Sequence, residues 1–264
     1  MTKTIVITGA SAGIGAALAR HLGRQGHQLV LAARRGPELE RVAAECETVT
    51  EVVVADVRRR GDVERLRDAA LRRFAHVDVW VNNAGRGITR PASQLTDEDF
   101  DEMMRVNVKS ALYGMQAVLP HFKERGRGHI INVSSMLSRM PFAPARSAYT
   151  AAKHALNGLT ASLRMELRST HPGIRVSIVM PGVVATEFGV HALGGGPDSR
   201  ALPYAQPVEE IAQVLVDVIR EPRADVYTRP GMRDQVAAYF GAEDMDAFEA
   251  RLPATPPASP GPRD

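Results

Sequence analysis

The chain has 264 residues, of which 44% are hydrophobic and 24% are charged, a balance that supports a folded globular core. Its 33 Lys and Arg are interleaved with 30 Asp and Glu, so the formal charge of +3 does not form the basic patch of a nucleic-acid-binding protein. The single cysteine, Cys46, excludes an intrachain disulfide and a cysteine-based metal site.

The sequence also lacks signals for export or membrane insertion. Met-Thr-Lys leads directly into an apolar strand, without the apolar region and cleavage site of a signal peptide. No apolar run approaches the ~20 residues of a membrane helix. We therefore expect a cytoplasmic protein with neither a membrane nor a nucleic acid as its partner.

Short β-branched runs alternate with longer helical patterns along the chain, and several runs are apolar throughout, which is typical of strands buried on both faces. The predicted strands are Thr4–Thr8, Gln28–Ala32, Glu51–Val54, Val77–Val81, His129–Val133 and Arg175–Met180, with a shorter seventh around Asp225–Thr228. The predicted helices include Glu38–Cys46, Asp62–Phe74, Asp97–Val118 and Ala148–Ser169. Thr96 resembles the start of a capping box. The pattern predicts an α/β fold: a doubly wound three-layer sandwich around a mostly parallel, seven-stranded sheet.

The strand–helix rhythm continues to about residue 220 without a linker or repeat, so we predict one domain over residues 1–252. An insertion at about residues 187–207 interrupts the rhythm with three consecutive glycines and several prolines, and we expect it to form a lid. Residues 253–264 contain five prolines, which predicts a disordered tail.

A glycine-rich turn follows the first predicted strand, and a helical pattern begins after it. Glycine there permits a tight turn, close backbone approach to a pyrophosphate and close helix–strand packing. The helix N-terminus adds free N–H groups and a partial positive charge. A glycine cluster alone can be an ordinary turn, but its place after the first strand predicts a dinucleotide site. The expected contacts are Gly9, Ser11, Ala12, Gly13, Ile14 and Gly15.

The end of the second strand indicates which dinucleotide is bound. A NAD site commonly has an acid here to accept the ribose 2′-hydroxyl, whereas this chain has neutral Ala33, followed by Arg34 and Arg35. Two arginines can bind a 2′-phosphate through charge-assisted hydrogen bonds, although solvated loop arginines are the alternative. The pattern favours NADP (NADPH), with NAD as the alternative cofactor.

Further short motifs occur after the glycine turn in a fixed order. They are Asp56-Val57, Asn82-Asn83-Ala84-Gly85, Asn107, Ser135, Tyr149-x3-Lys153 and Pro181-Gly182. Together with the glycine turn, the set resembles the single-domain branch of the short-chain dehydrogenase/reductase family, from Thr4 to about Tyr227. The resemblance implies a Rossmann-type fold and an NADP-dependent oxidoreductase that reduces a carbonyl, or oxidises the corresponding alcohol, by hydride transfer.

Tyr149 and Lys153 are four residues apart in a helical pattern, so their side chains project from one face. We expect the lysine cation and an oxidised nicotinamide to lower the pKa of Tyr149 from its ordinary value near 10. Tyr149 can then serve as general acid or general base. The resemblance implies that Lys153 also holds the nicotinamide ribose. Alone, such a pair is more often an ordinary surface contact.

The resemblance implies two more catalytic residues. Ser135 would stabilise charge on the substrate oxygen. It lies 14 residues before Tyr149, one more than in many relatives, so Ser134 and Ser138 remain alternatives. Asn107 would support a proton-relay water that reaches Lys153, and a partly exposed helix asparagine is its alternative interpretation.

The remaining cofactor contacts also follow from the resemblance. The segments after the third and fourth strands would approach the adenine and the adenosine ribose, and the segment after the sixth strand would approach the nicotinamide carboxamide and pyrophosphate. These residues are Asp56, Val57, Asn83, Ala84, Gly85, Pro181, Gly182, Val184 and Thr186.

Apolar residues near these segments predict the substrate side. Met136, Phe142 and Phe188 would line a pocket for an apolar or mixed carbonyl compound of modest size, although each can be an ordinary core residue. The expected partners are a small-molecule carbonyl or alcohol and further copies of the chain, as a homodimer or homotetramer. Two rival classes are a catalytically silent NADP-binding sensor or regulator of the same fold and a nucleotide-sugar epimerase or dehydratase, whose C-terminal region is usually longer.

Overall fold

Seven parallel strands form one continuous sheet in the order β3-β2-β1-β4-β5-β6-β7. The computed structural model describes residues 1–252, so the predicted tail at 253–264 lies outside the described residues. The strands are β1 Thr4–Thr8, β2 Gln28–Ala33, β3 Thr50–Val54, β4 Val79–Asn82, β5 Gly128–Val133, β6 Ile174–Met180 and β7 Asp225–Tyr227. The predicted doubly wound, seven-stranded sheet is confirmed, and every pairing in it is parallel.

Helices cover both faces of the sheet. They are α1 Gly13–Arg24, α2 Gly36–Ala44, α3 Arg60–Phe74, α4 Asp97–Met104, α5 Ser110–Arg125, α6 Ser147–Thr170, α7 Val208–Arg220, α8 Met232–Phe240 and α9 Met245–Glu249. Alternate strand residues point to opposite faces. Ile5 and Ile7 therefore pack with α1, α2 and α7, and Val6 packs with α3, α5 and α6. Within residues 1–252, no helix combines the length and the apolar character needed to cross a membrane.

The predicted helix Asp97–Val118 is divided in the structure. Thr96 and Asp99 form the expected capping box at the start of α4, but a π-helical turn at Arg105–Lys109 separates α4 from α5. The buried side chain of Asn107 lies in this turn and donates to the carbonyl oxygens of Met103 (3.1 Å) and Arg86 (2.9 Å). A π-turn inserts an extra residue into a helix and often accompanies a functional site.

The strand order reverses between β1 and β4, and this reversal positions the site. The chain leaves β1 and β4 towards opposite sides of the sheet, which opens a crevice at the carboxyl ends of these strands. The insertion after β6 crosses this edge. The Thr89 N–H donates to the Leu193 carbonyl at 2.7 Å, and the Leu193 N–H donates to the Gly87 carbonyl at 2.9 Å. The insertion is thereby joined to the segment after β4.

Candidate active site

The glycine turn between β1 and α1 has the shape that a phosphate group requires. Gly9 and Gly13 have positive φ angles of 68° and 54°, a conformation that residues with a Cβ rarely adopt. A Cβ on Gly15 would collide with the Gly9 carbonyl oxygen and Asn83 Nδ2. Ala12 precedes α1 and supplies no side-chain cap, and the first turn carries no acid. The N–H groups at this helix end are therefore available to an anion.

Asn83 and Thr8 join the carboxyl ends of β1 and β4. Asn83 Nδ2 donates to the Thr8 carbonyl oxygen at 2.9 Å, and the N–H groups of Asn83 and Ala84 donate to Thr8 Oγ1 at 3.1 and 3.2 Å. These hydrogen bonds fix the switch-point crevice beside the glycine turn. The predicted segment Asn83–Gly85 therefore lies against the turn, as a bound dinucleotide would require.

A cavity of about 220 Å³ lies beyond the carboxyl ends of β2 and β3. Its lining residues are Arg34, Val54, Ala55, Asp56, Arg59 and Asp62. The Asp56 carboxylate pairs with Arg58 at 2.7 Å, and this hydrogen-bonded pair holds the pKa of Asp56 below its ordinary value. The Val57 side chain is buried in the core and does not line the cavity, so a ligand there could reach only its backbone.

The two arginines after β2 have different surroundings. Arg35 Nη2 donates to Ser11 Oγ at 3.2 Å, in the glycine turn, and Arg35 Nη1 lies 3.8 Å from Glu38. Arg34 is exposed, lines the cavity and forms no ion pair within residues 1–252. The guanidinium of Arg34 and that of Arg35, which is hydrogen-bonded to Ser11 of the glycine turn, together provide donors that fit a phosphate monoester.

Tyr149 and Lys153 lie one helical turn apart on α6, with their side chains facing the carboxyl end of β5. Lys153 Nζ donates to the Val133 carbonyl at 2.9 Å and lies 5.6 Å from the centre of the Tyr149 ring. The Tyr149 ring contacts Phe188 of the insertion edge-on, with 5.6 Å between ring centres. The predicted pair is therefore buried together at the edge of the crevice.

Burial acts on both titratable groups. It raises the pKa of Tyr149 to about 12, while a hydrogen bond with the Ser135 side chain and the positive charge of Arg146 oppose the rise. Burial lowers the pKa of Lys153 to about 7. In the protein without a cofactor, desolvation of the phenolate therefore outweighs the neighbouring groups, and the lowering expected with an oxidised nicotinamide bound stays a prediction.

The three candidate serines have different partners. Ser134 Oγ donates to Asn157 Oδ1 at 2.7 Å, whereas Asn157 Nδ2 donates to Ser138 Oγ at 2.8 Å. Ser138 Oγ in turn donates to the Ser135 carbonyl oxygen. These bonds turn Ser134 and Ser138 towards α6. Ser135 Oγ accepts from the Leu137 N–H at 3.2 Å, and its hydroxyl lies next to Tyr149. Asn157 lies one turn after Lys153 and fixes the loop that carries Ser135.

Asn107 reaches the same region from the π-turn. Its Oδ1 accepts from the Arg86 N–H at 3.2 Å. A Cβ placed on Gly85 would lie 2.9 Å from Asn107 Oδ1 and 3.6 Å from Lys153 Nζ, so both side chains approach this one glycine. Asn107 and Lys153 therefore approach Gly85 from two sides and lie near each other. The proton-relay role of Asn107 stays a prediction.

The segment after β6 completes the crevice. The Met136 N–H donates to the Pro181 carbonyl at 2.8 Å, which ties this segment to the loop of Ser135. Thr186 Cγ2 lies 3.4 Å from the Cβ position of Gly13, so Thr186 reaches the glycine turn. Gly182 faces Met136 and Arg229. Val184 is buried in the core beside α1 and α7.

The predicted substrate residues fall into two groups. Phe188 is 38% exposed above Tyr149, whereas Met136 and Phe142 pack with Met232 and Val236 of α8. Sequence reasoning assigned no role to α8, although Met232, Val236 and Tyr239 recur at helical spacing. It also missed Arg146, whose side chain lies beside Tyr149; an arginine one turn before the tyrosine was the available signal.

Three comparisons relate this architecture to known proteins. The family model described as short chain dehydrogenase matches residues 3–192. An uncharacterized oxidoreductase from Bacillus subtilis, YxnA, is 34% identical over 248 residues, which cover 91% of this chain and 68% of that protein.

Two solved structures share the fold over most of their length. An alcohol dehydrogenase from the archaeon Thermococcus sibiricus, complexed with 5-hydroxy-NADP, has a TM-score of 0.76 and 31% identity, covering 86% of this chain and 96% of that one. A short chain dehydrogenase/reductase from Burkholderia phymatum, in complex with NAD, has a TM-score of 0.83 and 25% identity, covering 98% of both chains. The similar proteins thus include complexes with both kinds of dinucleotide.

Proposed function

This chain belongs to the short-chain dehydrogenase family, and from that premise we propose that it is an NADP-dependent oxidoreductase that interconverts a carbonyl compound and its alcohol. One observation carries the proposal: Tyr149 and Lys153 are buried together with Lys153 Nζ 5.6 Å from the centre of the Tyr149 ring, and the buried Ser135 lies beside them. A hydroxyl donor, a proton carrier and a cation at one crevice suit the protonation of a carbonyl oxygen.

The chain offers groups for each part of the cofactor. The glycine turn and the α1 N-terminus would hold the pyrophosphate, Arg34 and Arg35 the 2′-phosphate, and Lys153 the nicotinamide ribose. The cavity beside Asp56 would receive the adenine, and Thr186 would approach the nicotinamide end. When bound, the nicotinamide supplies or accepts the hydride.

The proton chemistry follows from burial. With a pKa of about 12, Tyr149 is protonated at neutral pH and can donate to the oxygen of a carbonyl that is being reduced. The Ser135 hydroxyl donates to the same developing oxyanion. In the oxidation direction Tyr149 must first lose its proton, and the hydrogen bond with Ser135 and the positive charge of Arg146 favour this loss. We therefore expect reduction to predominate at neutral pH and oxidation to quicken as pH rises.

Two further parts of the proposal concern the chain as a whole. Residues 1–252 would act as one domain, with the insertion at about 187–207 as a lid over Tyr149. The protein would be cytoplasmic and would associate with its own copies through α4, α5 and α6. Leu159 and Met165 of α6 are exposed. Sedimentation velocity measures that association, and a monomer at micromolar concentration would contradict it.

A carbonyl and alcohol screen tests the proposed reaction. The purified protein is mixed with NADPH and a panel of aldehydes and ketones, and with NADP and the corresponding alcohols, while absorbance of the reduced nicotinamide is followed. We expect turnover with at least one pair. Tight NADPH binding without turnover across the panel would contradict the enzyme and support the sensor or regulator.

Arg34→Ala tests the cofactor preference. Charge-assisted hydrogen bonds contribute about 1.5–3 kcal/mol, so we expect the Kd for NADPH to rise roughly tenfold to a hundredfold. The Kd for NADH should change less than about twofold, because NADH lacks the 2′-phosphate. Fluorescence titration measures both constants.

Arg24→Ala is the matched control for Arg34→Ala. Arg24 is exposed at the other end of α1, away from the glycine turn, and its removal changes the net charge equally. If Arg34→Ala weakens the binding of NADPH and NADH equally, or if Arg24→Ala weakens NADPH binding as much, Arg34 acts only through the net charge of the protein.

A further inference from the structure

Arg146 lies immediately before α6, and its partly buried guanidinium points towards the crevice of Tyr149. Its Nη1 donates to the Ile88 carbonyl at 3.1 Å, and no other hydrogen bond of its side chain is formed within residues 1–252. A Cβ on Gly87 would lie 3.0 Å from Phe188 Cε1 and 3.3 Å from Arg146 Nη1. Arg146, Phe188 and Tyr149 therefore surround one small region.

This guanidinium has no carboxylate partner in the described part of the chain. Other partly buried arginines do: Arg58 pairs with Asp56 at 2.7 Å, and Arg139 pairs with Asp225 at 2.6 Å. Burial without a compensating acid lowers the pKa of Arg146, and only an ionised Tyr149 would oppose this shift. An unpaired charge removed from water is costly, and an anion bound beside the guanidinium would offset that cost.

A second unsatisfied group lies in the same region. Thr89 Oγ1 is buried and has no hydrogen-bond partner within residues 1–252. A Cβ on Gly196 of the insertion would lie 3.2 Å from Thr89 Oγ1 and 3.1 Å from Arg146 Nη2. The two donors therefore both lie against Gly196, with the Gly189 carbonyl oxygen 2.8 Å from the same Cβ position.

We propose that Arg146 and Thr89 bind a carboxylate carried by the substrate, so that this enzyme acts on oxo acids and the corresponding hydroxy acids. The proposal rests on the proposed function, because the reacting carbon lies at Tyr149. The planar guanidinium can donate two parallel hydrogen bonds to a carboxylate, and the threonine hydroxyl can donate a third. Phe188 and the glycines of the insertion cover the same point, so an acid bound there would also hold the insertion closed.

Matched acids and esters test the proposal. The substrates are acetoacetate, levulinate and succinic semialdehyde, each compared with its methyl ester and assayed with NADPH. We expect the wild-type protein to have a kcat/KM at least about thirtyfold higher for one acid than for its ester. Arg146→Gln should remove most of this preference, because it should lower kcat/KM for the acid at least about tenfold more than for the ester; both substrates share any effect of the lost charge on Tyr149. Arg146→Lys, which keeps the charge but loses the paired donors, should recover part of it.

A binding measurement separates ligand recognition from turnover. Butyrate, which carries a carboxylate but no reactive carbonyl, should raise the Tm of the NADP-loaded wild-type protein and leave Arg146→Gln unchanged. Arg86→Gln is the control, because Arg86 also lies beside the insertion, where its Nε donates to the His191 carbonyl at 3.1 Å. It should retain both the acid preference and the butyrate effect.

The possible failures are distinguishable. Reduction of esters and acids with equal efficiency would overturn the carboxylate site and leave the oxidoreductase intact. Equal loss of acid and ester turnover in Arg146→Gln would also overturn it, because Arg146 would then only support Ile88. No turnover of any acid, ester or neutral carbonyl, despite NADPH binding, would overturn the proposed function and this inference together.

Discussion

Replacing Tyr149 with phenylalanine should lower kcat by roughly a thousandfold or more while leaving the Kd for NADPH within about threefold of the wild-type value. The variant keeps the ring that contacts Phe188 and loses only the hydroxyl that meets Ser135. General acid catalysis typically contributes about a hundredfold to ten-thousandfold. Because Tyr149 is buried, a water molecule cannot readily replace its hydroxyl as the proton donor. The expected loss of kcat therefore lies towards the upper part of that range.

The measurement uses the best substrate from the carbonyl screen, with steady-state kinetics and a fluorescence titration of NADPH. Tyr113→Phe is the matched control, because Tyr113 lies on α5 with Arg60 over its ring and takes no part in the crevice. Its kcat should equal that of the wild-type protein. Unchanged turnover in Tyr149→Phe would refute the assignment of the proton donor.

Strong local signals made the sheet predictable. A strand such as Thr4–Thr8, apolar and β-branched on both faces, leaves few other ways to bury its side chains. The glycine turn was equally informative, since Gly9 and Gly13 need positive φ angles that most residues avoid. Boundaries moved by one or two residues where the ends of strands and helices depend on caps and neighbours.

The interruption at Arg105–Lys109 was not predictable from helical periodicity. The pattern of α4 and α5 fits one continuous helix, and only the hydrogen bonds from Asn107 to Arg86 and Met103 favour the wider turn. Arg86 is distant in sequence, so its hydrogen bond with Asn107 forms only once the chain has folded. Asparagine inside a helix was the visible signal, but it specifies no partner.

The pKa of Tyr149 was also not predictable from the sequence alone. Sequence spacing brings Lys153 near Tyr149, and a lowered pKa was expected from this cation together with an oxidised nicotinamide. Sequence does not give the degree of burial, and here desolvation outweighs the favourable neighbours. The same burial lowers the pKa of Lys153 to about 7, so the protein alone holds both groups closer to neutral than the spacing suggested.

Which of the three candidate serines lies next to Tyr149 also depended on contacts across the fold. Three serines in five residues are equivalent by sequence, and the spacing to Tyr149 did not separate them. Asn157, from the second turn of α6 beyond Tyr149, binds both Ser134 and Ser138. Ser135 is thereby left for Tyr149, which no local pattern could have shown.

Lys153→Met should remove part of the pH dependence of stability and should also lower turnover by about a hundredfold or more. The ordinary pKa of this lysine is 10.5, and burial lowers it to about 7 in the folded chain. Between about pH 7 and pH 9 the unfolded chain therefore holds a proton on Lys153 that the folded chain has released. Because the unfolded state binds more protons, the free energy of unfolding rises with pH in this window.

The expected slope is up to about 1.4 kcal/mol per pH unit, or roughly 2–3 kcal/mol from pH 7 to pH 9. Below pH 7 Lys153 is protonated in both the folded and the unfolded chain, so the full cost of burying its charge lowers the free energy of unfolding there. Methionine has nearly the same length and no charge, so Lys153→Met should lack this contribution. The measurement is urea unfolding of the cofactor-free protein at pH 6, 7, 8 and 9, compared with the wild-type chain.

Lys109→Met provides the control for this comparison, because Lys109 is exposed in the π-turn and its removal changes the net charge equally. Its unfolding curve should follow the wild-type dependence on pH. Parallel curves for Lys153→Met and the wild-type chain would mean that Lys153 keeps its proton in the folded protein. In that case the donation from Nζ to the Val133 carbonyl would offset the desolvation, and a charged lysine would face Tyr149 throughout the physiological range.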